Sequence, residues 1–149
     1  MLEDNLFPTK KWLSDSTNQD TLVKFLKASF QGWIYCRDHQ AACVNIVLKN
    51  GSLLGKGHQT WQLNEINKLI WPAASGAGLI DQKAWNQTVQ ISQQTKNQDG
   101  KTVLTKAPDA SAYSNDYVTK ALADLKANGV DVTGTSFKPI TVQLQEGGA

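Results

Sequence analysis

Residues 20–50 read DTLVKFLKASFQGWIYCRDHQAACVNIVLKN, residues 55–71 read GKGHQTWQLNEINKLIW, and residues 78–89 read GLIDQKAWNQTV. In the first stretch large side chains recur every three or four residues, which places them on one face of a helix. The members of this face are Leu22, Leu26, Ser29, Trp33 and Cys36, flanked by Phe25 and Phe30. The pattern predicts a long helix at the centre of the core, and either Asn18 or Asp20 is suited to cap its start.

Four further helices are predicted downstream. The polar run at 37–40 breaks the first helix, and the second is expected to end at Asn50 and Gly51, because both residues tolerate the left-handed backbone of a helix C-cap. The third covers 58–71 and stops before Pro72. The other two start after Asp81 and cover 115–128, and a brief helical turn is expected at 11–13.

Two segments break the helical pattern. Apolar and polar residues alternate over 140–144, which predicts a short strand, and the segment 2–7 is its candidate partner within the chain. Residues 95–105 are polar and are expected to form a mobile loop. The expected fold is a single domain over 1–149 that is mainly α, with five helices and one or two short strands.

Composition limits the possible functions. The 149 residues include 15 basic and 13 acidic side chains, and the net charge is +2. Nucleic-acid binding requires a basic stripe with interleaved aromatic residues, so no nucleic-acid partner is expected. No apolar run reaches the roughly 18 residues needed to span a membrane. The opening MLEDNLFPTKK lacks the features of a signal peptide, so this chain as written is expected to stay in the cytoplasm.

Cys36 and Cys43 are the only cysteines. On one continuous helix their Cα atoms would lie about 10.5 Å apart, which exceeds the roughly 7 Å limit for a disulfide. They can therefore bond only if the helix breaks between them. The alternatives are two buried reduced thiols, or a zinc site that adds His39 and His58, although this set matches no established zinc pattern.

Few residues suggest catalysis. The sequence contains no G-x-S-x-G motif, and neither histidine has a nucleophile at a recognisable spacing. Gly76 and Gly78 form a G-x-G, but no strand precedes it, which argues against a phosphate-binding loop. Neither enzymatic activity nor a cofactor is expected.

Candidate ligand-binding residues lie on the third predicted helix. Trp61 and Glu65 are four residues apart and share a face, and Asn64 lies beside them. An aromatic ring next to an amide and a carboxylate suits a planar ligand that forms hydrogen bonds. The alternative is that Trp61 belongs to the core and that the two polar residues lie at its solvent edge.

The stretch LVKFLKASFQGWIYCRDHQAACVNIVLKN resembles a helix pair in substrate-binding proteins of ABC importers of the sulfonate, nitrate and thiamine-pyrimidine type. In that family the first helix leads into a Gly-Trp step, here Gly32 and Trp33, and a second helix rich in Val, Ile and Leu follows. The segments MLEDNLFPTKKWL, HQTWQLNEINKLIWP, LIDQKAWNQTV and VQLQEGGA also resemble parts of the C-terminal region of these proteins.

The resemblance implies the C-terminal part of a type II periplasmic-binding-protein-like α/β fold. The parent proteins are periplasmic, bind a small solute such as a pyrimidine, a sulfonate or nitrate, and dock on an ABC permease. A disulfide between Cys36 and Cys43 fits that compartment. The cysteine-rich motif of the related thiamine-pyrimidine synthases is lacking, which argues against that enzymatic branch.

The resemblance also implies a truncated receptor, since the chain corresponds to a fragment of the C-terminal lobe. Such a fragment would expose the apolar face that the other lobe covers, so a homo-oligomer is expected. The alternative function is a stand-alone helical module for protein interaction or oligomerisation.

Overall fold

The computed structural model describes residues 5–51 and 53–143. Within these ranges 59% of the residues are helical and no strand occurs, so the expectation of a mainly α fold is confirmed. The helices are α1 Lys10–Leu13, α2 Ser16–Asp38, α3 Gln40–Asn50, α4 Lys56–Ile70, α5 Gln82–Gln94 and α6 Asp116–Ala127, with a 3-10 turn at Ala110–Ala112. In this part of the chain, no helix combines the length and apolarity needed to cross a membrane.

Helix α2 begins earlier than predicted. Its N-cap is Asp15, whose carboxylate accepts a hydrogen bond of 2.8 Å from the Thr17 N–H. The prediction of a cap at Asn18 or Asp20 is wrong, because both residues lie inside the helix. The apolar repeat starts only at Leu22, so the polar first turn carries no periodic signal.

A single residue, His39, separates α2 from α3 and has non-helical backbone angles. The break brings the Cα atoms of Cys36 and Cys43 to 5.1 Å, and the two residues form a disulfide. By restricting the unfolded chain, closure of this short loop adds about 2.5 kcal/mol to the free energy of unfolding. The zinc alternative is wrong, because both sulfur atoms are used in the disulfide.

The end of α3 differs from its prediction. The helix does stop at Asn50, but Gly51 has a φ of −128° and not the left-handed conformation. A Cβ atom at Gly51 would collide with the side chain of Leu54.

The main core lies between α2 and α6. The buried residues of the cluster are Phe30, Ile34, Trp71, Ala77, Ala121, Leu122, Leu125 and Val132. The predicted face of α2 is only partly correct, since Phe25 is 55% exposed. On α2, Phe30 and Ile34 belong to this cluster, and Leu26 and Trp33 pack against it. Trp33 also lines a groove together with Ser29 and Cys36.

Helix α5 lies at the edge of the fold and has no buried residue. Its predicted cap is confirmed, as the Asp81 carboxylate accepts a hydrogen bond of 2.8 Å from the Ala84 N–H. The ring of Trp85 contacts Tyr113 at a centroid distance of 4.7 Å. The following residues 95–105 form a tight turn closed by a bridge between Lys96 and Thr102, and its mobility stays a prediction.

The strand predicted over 140–144 does not form in residues 140–143. The Ile140 N–H instead donates a hydrogen bond of 2.9 Å to Oδ1 of Asn64 on α4. The candidate partner also has no strand over 5–7, and residues 2–4 and 144 lie outside the described ranges. Alternation alone was a poor guide, because a strand needs a partner to satisfy its backbone.

Candidate functional site

One face of α4 carries an accessible row of aromatic and charged side chains. His58, Trp61, Glu65 and Lys68 follow one another at intervals of three or four residues, so they share this face. The rings of His58 and Trp61 lie 5.8 Å apart between centroids. The Lys68 ammonium forms an ion pair of 2.5 Å with the Glu65 carboxylate. We call these four residues the Trp61 face.

The structure brings the predicted residues Trp61 and Glu65 together on this face, and Trp61 is 38% exposed. Asn64 is placed differently, because its side chain is only 3% exposed. Its Oδ1 accepts from the Ile140 N–H, and its Nδ2 lies 3.3 Å from Oε1 of Glu65. Asn64 therefore orients Glu65 and holds the C-terminal segment, while ligand binding by these three residues stays a prediction.

His58 and Lys68 are the members of the row that the sequence reasoning missed. His58 lies three residues before Trp61, and Lys68 lies three residues after Glu65. The helical spacing that pairs Trp61 with Glu65 therefore also predicts these two positions on the same face. Together the four side chains place an aromatic ring on the same helix face as a paired carboxylate and ammonium group. A planar solute can stack on such a ring while its polar edge bonds to one member of the ion pair.

A groove of about 520 Å³ lies on the opposite side of α4, between α2, α3 and α4. We call it the three-helix groove. Its lining residues are Ser29, Gly32, Trp33 and Cys36 of α2, Cys43, Val44 and Val47 of α3, and Gln59, Gln62, Leu63 and Ile66 of α4. The groove is mainly apolar, and the disulfide forms part of its wall.

Arg37 is the buried ionisable side chain of the described residues. Its Nε and Nη2 atoms lie 2.6 and 2.9 Å from the two carboxylate oxygens of Asp38. Its Nη1 donates a hydrogen bond of 2.9 Å to the Asp131 carbonyl oxygen. Burial of this charge is compensated by these contacts, which attach the loop around Asp131 to the last turn of α2.

The Asp131 carboxylate organises the same loop. It accepts hydrogen bonds from the Thr133 hydroxyl and N–H and from the Gly134 N–H. The hydrogen bond from the Thr133 hydroxyl is the main reason that the pKa of Asp131 is lowered from its usual value. These groups have a structural role, because each bonds to a neighbour in the loop or to Arg37.

Within residues 5–51 and 53–143, no three His, Cys, Asp or Glu side chains are grouped closely enough to hold a metal ion. Comparison with known proteins gave no match to a protein-family model, a curated protein or a solved structure.

Proposed function

We propose that this chain is the helical portion of a non-catalytic substrate-binding protein of an ABC importer, and that the Trp61 face forms one wall of its solute site. The disulfide-linked pair of α2 and α3 supports the proposal, because the resembling sequence covers these two helices. A structural disulfide also suits an oxidising compartment such as the periplasm, where such receptors work.

The observation that carries the proposal is the accessible Trp61 ring, which lies one helical turn before Glu65, the partner of Lys68 in an ion pair. A pyrimidine has the planar shape to stack on the indole and a polar edge that can bond to the carboxylate. A sulfonate or nitrate would bond to the Lys68 ammonium instead. Trp61 is accessible, so this face is only one wall of the site. The rest of the receptor would supply a second wall and enclose the solute, and the loaded receptor would then dock on the permease.

A thermal-shift screen with an aminopyrimidine, methanesulfonate and nitrate tests solute binding. A solute present at 100 times its dissociation constant adds about 2.7 kcal/mol to the free energy of unfolding. This gain raises the melting temperature by several degrees. Trp61→Ala should abolish the shift, whereas Trp12→Ala should retain it, since Trp12 lies on α1 with a similar exposure of 37%. The absence of a shift with all three solutes would refute solute binding by this chain.

A stand-alone interaction module is the second candidate function. It is favoured by large apolar side chains on the surface, such as Leu53 at 98% and Leu69 at 68% exposure. Exposed apolar surface of this kind marks sites of protein association. The two functions separate experimentally, since a module of this kind would show no solute-dependent stabilisation.

A further inference from the structure

Two asparagines of the chain are each followed directly by glycine, Asn50 by Gly51 and Asn128 by Gly129. In such a pair the backbone nitrogen of the glycine can attack the side-chain amide of the asparagine, because glycine has no side chain to obstruct the approach. Both asparagines are exposed and lie at a helix end, Asn50 as the last residue of α3 and Asn128 as the C-cap of α6. They therefore form a matched pair for this reaction.

The side chains of the two asparagines are held in the same way. Nδ2 of Asn50 donates a hydrogen bond of 2.8 Å to the carbonyl oxygen of Ile46. Nδ2 of Asn128 donates one of 2.7 Å to the carbonyl oxygen of Asp124 and lies 3.4 Å from Oδ1 of the same residue. In each case the acceptor lies four residues earlier, about one helical turn away. The side-chain amides therefore do not distinguish the two sites.

The backbones of the two glycines differ. The Gly129 N–H donates a hydrogen bond of 3.0 Å to the Lys126 carbonyl oxygen, and the Val130 N–H donates one of 3.0 Å to the Leu125 carbonyl oxygen. With the φ of +78° at Gly129, these two bonds form a Schellman motif. Gly51 has a φ of −128°, and its N–H has no hydrogen-bond acceptor among the described residues. The nitrogen of Gly51 is therefore available as a nucleophile, whereas that of Gly129 is engaged.

The position of Asn50 also allows the backbone rotation that the reaction needs. Attack on the side chain turns the peptide group after the asparagine away from its helical orientation. Asn50 is the last residue of α3, and helix ends open at little cost in free energy. The same rotation at Asn128 would break the two hydrogen bonds of the Schellman motif.

We propose that Asn50 is a site of spontaneous deamidation in the folded protein and that the Schellman motif protects Asn128. The Gly51 nitrogen loses its proton and forms a bond to Cγ of Asn50, the bond between Cγ and Nδ2 breaks, and ammonia leaves. Water then opens the resulting succinimide ring at either carbonyl carbon, which gives aspartate or isoaspartate. The reaction consumes a water molecule, releases an ammonia molecule and needs no other reactant.

Deamidation places a carboxylate at the C-terminal end of α3. The carboxylate can no longer donate a hydrogen bond to the Ile46 carbonyl oxygen, and its charge is unfavourable at the negative end of the helix dipole. The last turn of α3 includes Val47, which lines the three-helix groove, so the reaction loosens this part of the groove wall. The proposal goes beyond the solute-binding function and does not depend on it.

Peptide mapping by mass spectrometry tests the proposal on the intact, oxidised chain. The protein is incubated at mildly alkaline pH and then digested with pepsin at acid pH, where the glycine nitrogen keeps its proton and the reaction stops. We expect Asn50 to deamidate about tenfold faster than Asn128, which corresponds to about 1.4 kcal/mol, or roughly one hydrogen bond. In urea with the disulfide reduced, the two rates should become similar, because both sites are then unfolded Asn-Gly pairs.

Asn50→Gln is the control variant, since its longer side chain would have to close a larger ring and should remain an amide under the same conditions. Equal rates at Asn50 and Asn128 in the folded protein would overturn the proposal, as would a folded protein that reacts at neither site. A difference of the same size in urea would also overturn it, because the local sequence and not the fold would then set the rates.

Asn50→Asp introduces the product charge directly and tests the consequence for α3. Its melting temperature should be about 3 °C lower than that of the unmodified protein. Asn45→Asp adds the same charge at an exposed position earlier in α3, and its effect should be smaller because the dipole acts within the last turn. An Asn50→Asp variant as stable as the unmodified protein would overturn the predicted loosening of α3.

Discussion

The guanidinium group of Arg37 lies over the indole ring of Trp71, with 4.7 Å between its Cζ atom and the ring centroid. The contact joins the last turn of α2 to the residue that follows α4. A guanidinium stacked on an aromatic face is attracted to the π-electrons, and more strongly when both groups are shielded from water. Gly134 lies against both groups, so three separate segments of the chain meet at this point.

Replacing Gly134 tests how tightly this contact is packed. Gly134 has a φ of +62°, and a Cβ atom there would lie 2.7 Å from the Trp71 ring and 3.0 Å from Nη1 of Arg37. Gly134→Ala should therefore destabilise the protein by about 3 kcal/mol in urea denaturation. Gly100→Ala is the control, since its φ of +74° is similar but the site is open, and its cost should be about 1 kcal/mol. Equal costs would show that the Trp71 contact is not close-packed.

Stability at acid pH depends on Asp131 in the same loop. Its pKa is lowered, mainly by the hydrogen bond from the Thr133 hydroxyl. A lowered pKa in the folded state means that the stabilisation is present above the unfolded pKa of about 3.9 and is lost as the pH falls through the folded value. Thr133→Ala should raise the pKa of Asp131 and move this loss to higher pH. NMR titration of the Asp131 carboxyl carbon measures the change, and an unaltered pKa in the variant would refute the assigned cause.

The start of α2 gives a prediction about helix capping. Asp15 accepts a hydrogen bond from the Thr17 N–H, so Asp15→Ala should cost about 1 kcal/mol of stability. Asp20→Ala is matched in chemistry but lies inside the helix, and it should change stability by less than about 0.5 kcal/mol. Thermal or urea unfolding of the two variants measures the difference. A larger loss from Asp20→Ala would place the helix start where the sequence had predicted it.

Two asparagines on α4 should respond to the same substitution with opposite signs. Asn67 is completely buried, its Oδ1 has no hydrogen-bond partner among the described residues, and its Nδ2 lies 3.5 Å from the Cys36 carbonyl oxygen. Asn67→Leu keeps the branched shape and removes the unpaired group, so it should stabilise the protein by about 1 kcal/mol. Asn64→Leu removes the acceptor of the Ile140 N–H and should destabilise it by about 1–3 kcal/mol. Urea denaturation of both variants is the test, and a loss of stability in both would contradict the assignment for Asn67.

The helix ends predicted most accurately from the sequence are those with a local start or stop signal. α6 ends before Gly129, which has a φ of +78°, and α5 starts after the Asp81 cap. The beginning of α2 was missed because its polar first turn has no apolar repeat. The strand over 140–144 was predicted from alternation alone, whereas the deciding interaction is with Asn64, a residue far away in sequence.

Helical spacing predicted only part of the candidate site. The step of four residues correctly places Trp61 and Glu65 on one face, but it cannot show that Asn64 faces the C-terminal segment. The single face predicted for α2 divides between the core and the three-helix groove, because α6 and α3 pack on different sides of it. Such divisions depend on tertiary packing, and no local pattern encodes them.

Binding of a solute at the Trp61 face can be observed by NMR of the tryptophan indole N–H groups in ¹⁵N-labelled protein. The five indole signals are assigned by single Trp→Phe variants, and an aminopyrimidine, methanesulfonate and nitrate are then added separately at millimolar concentration. We expect at least one solute to shift the Trp61 signal while that of Trp71 stays in place, because the Trp71 side chain is buried in the core. A Trp61 signal that none of the solutes moves, or a response confined to Trp33 in the three-helix groove, would refute solute binding at the Trp61 face.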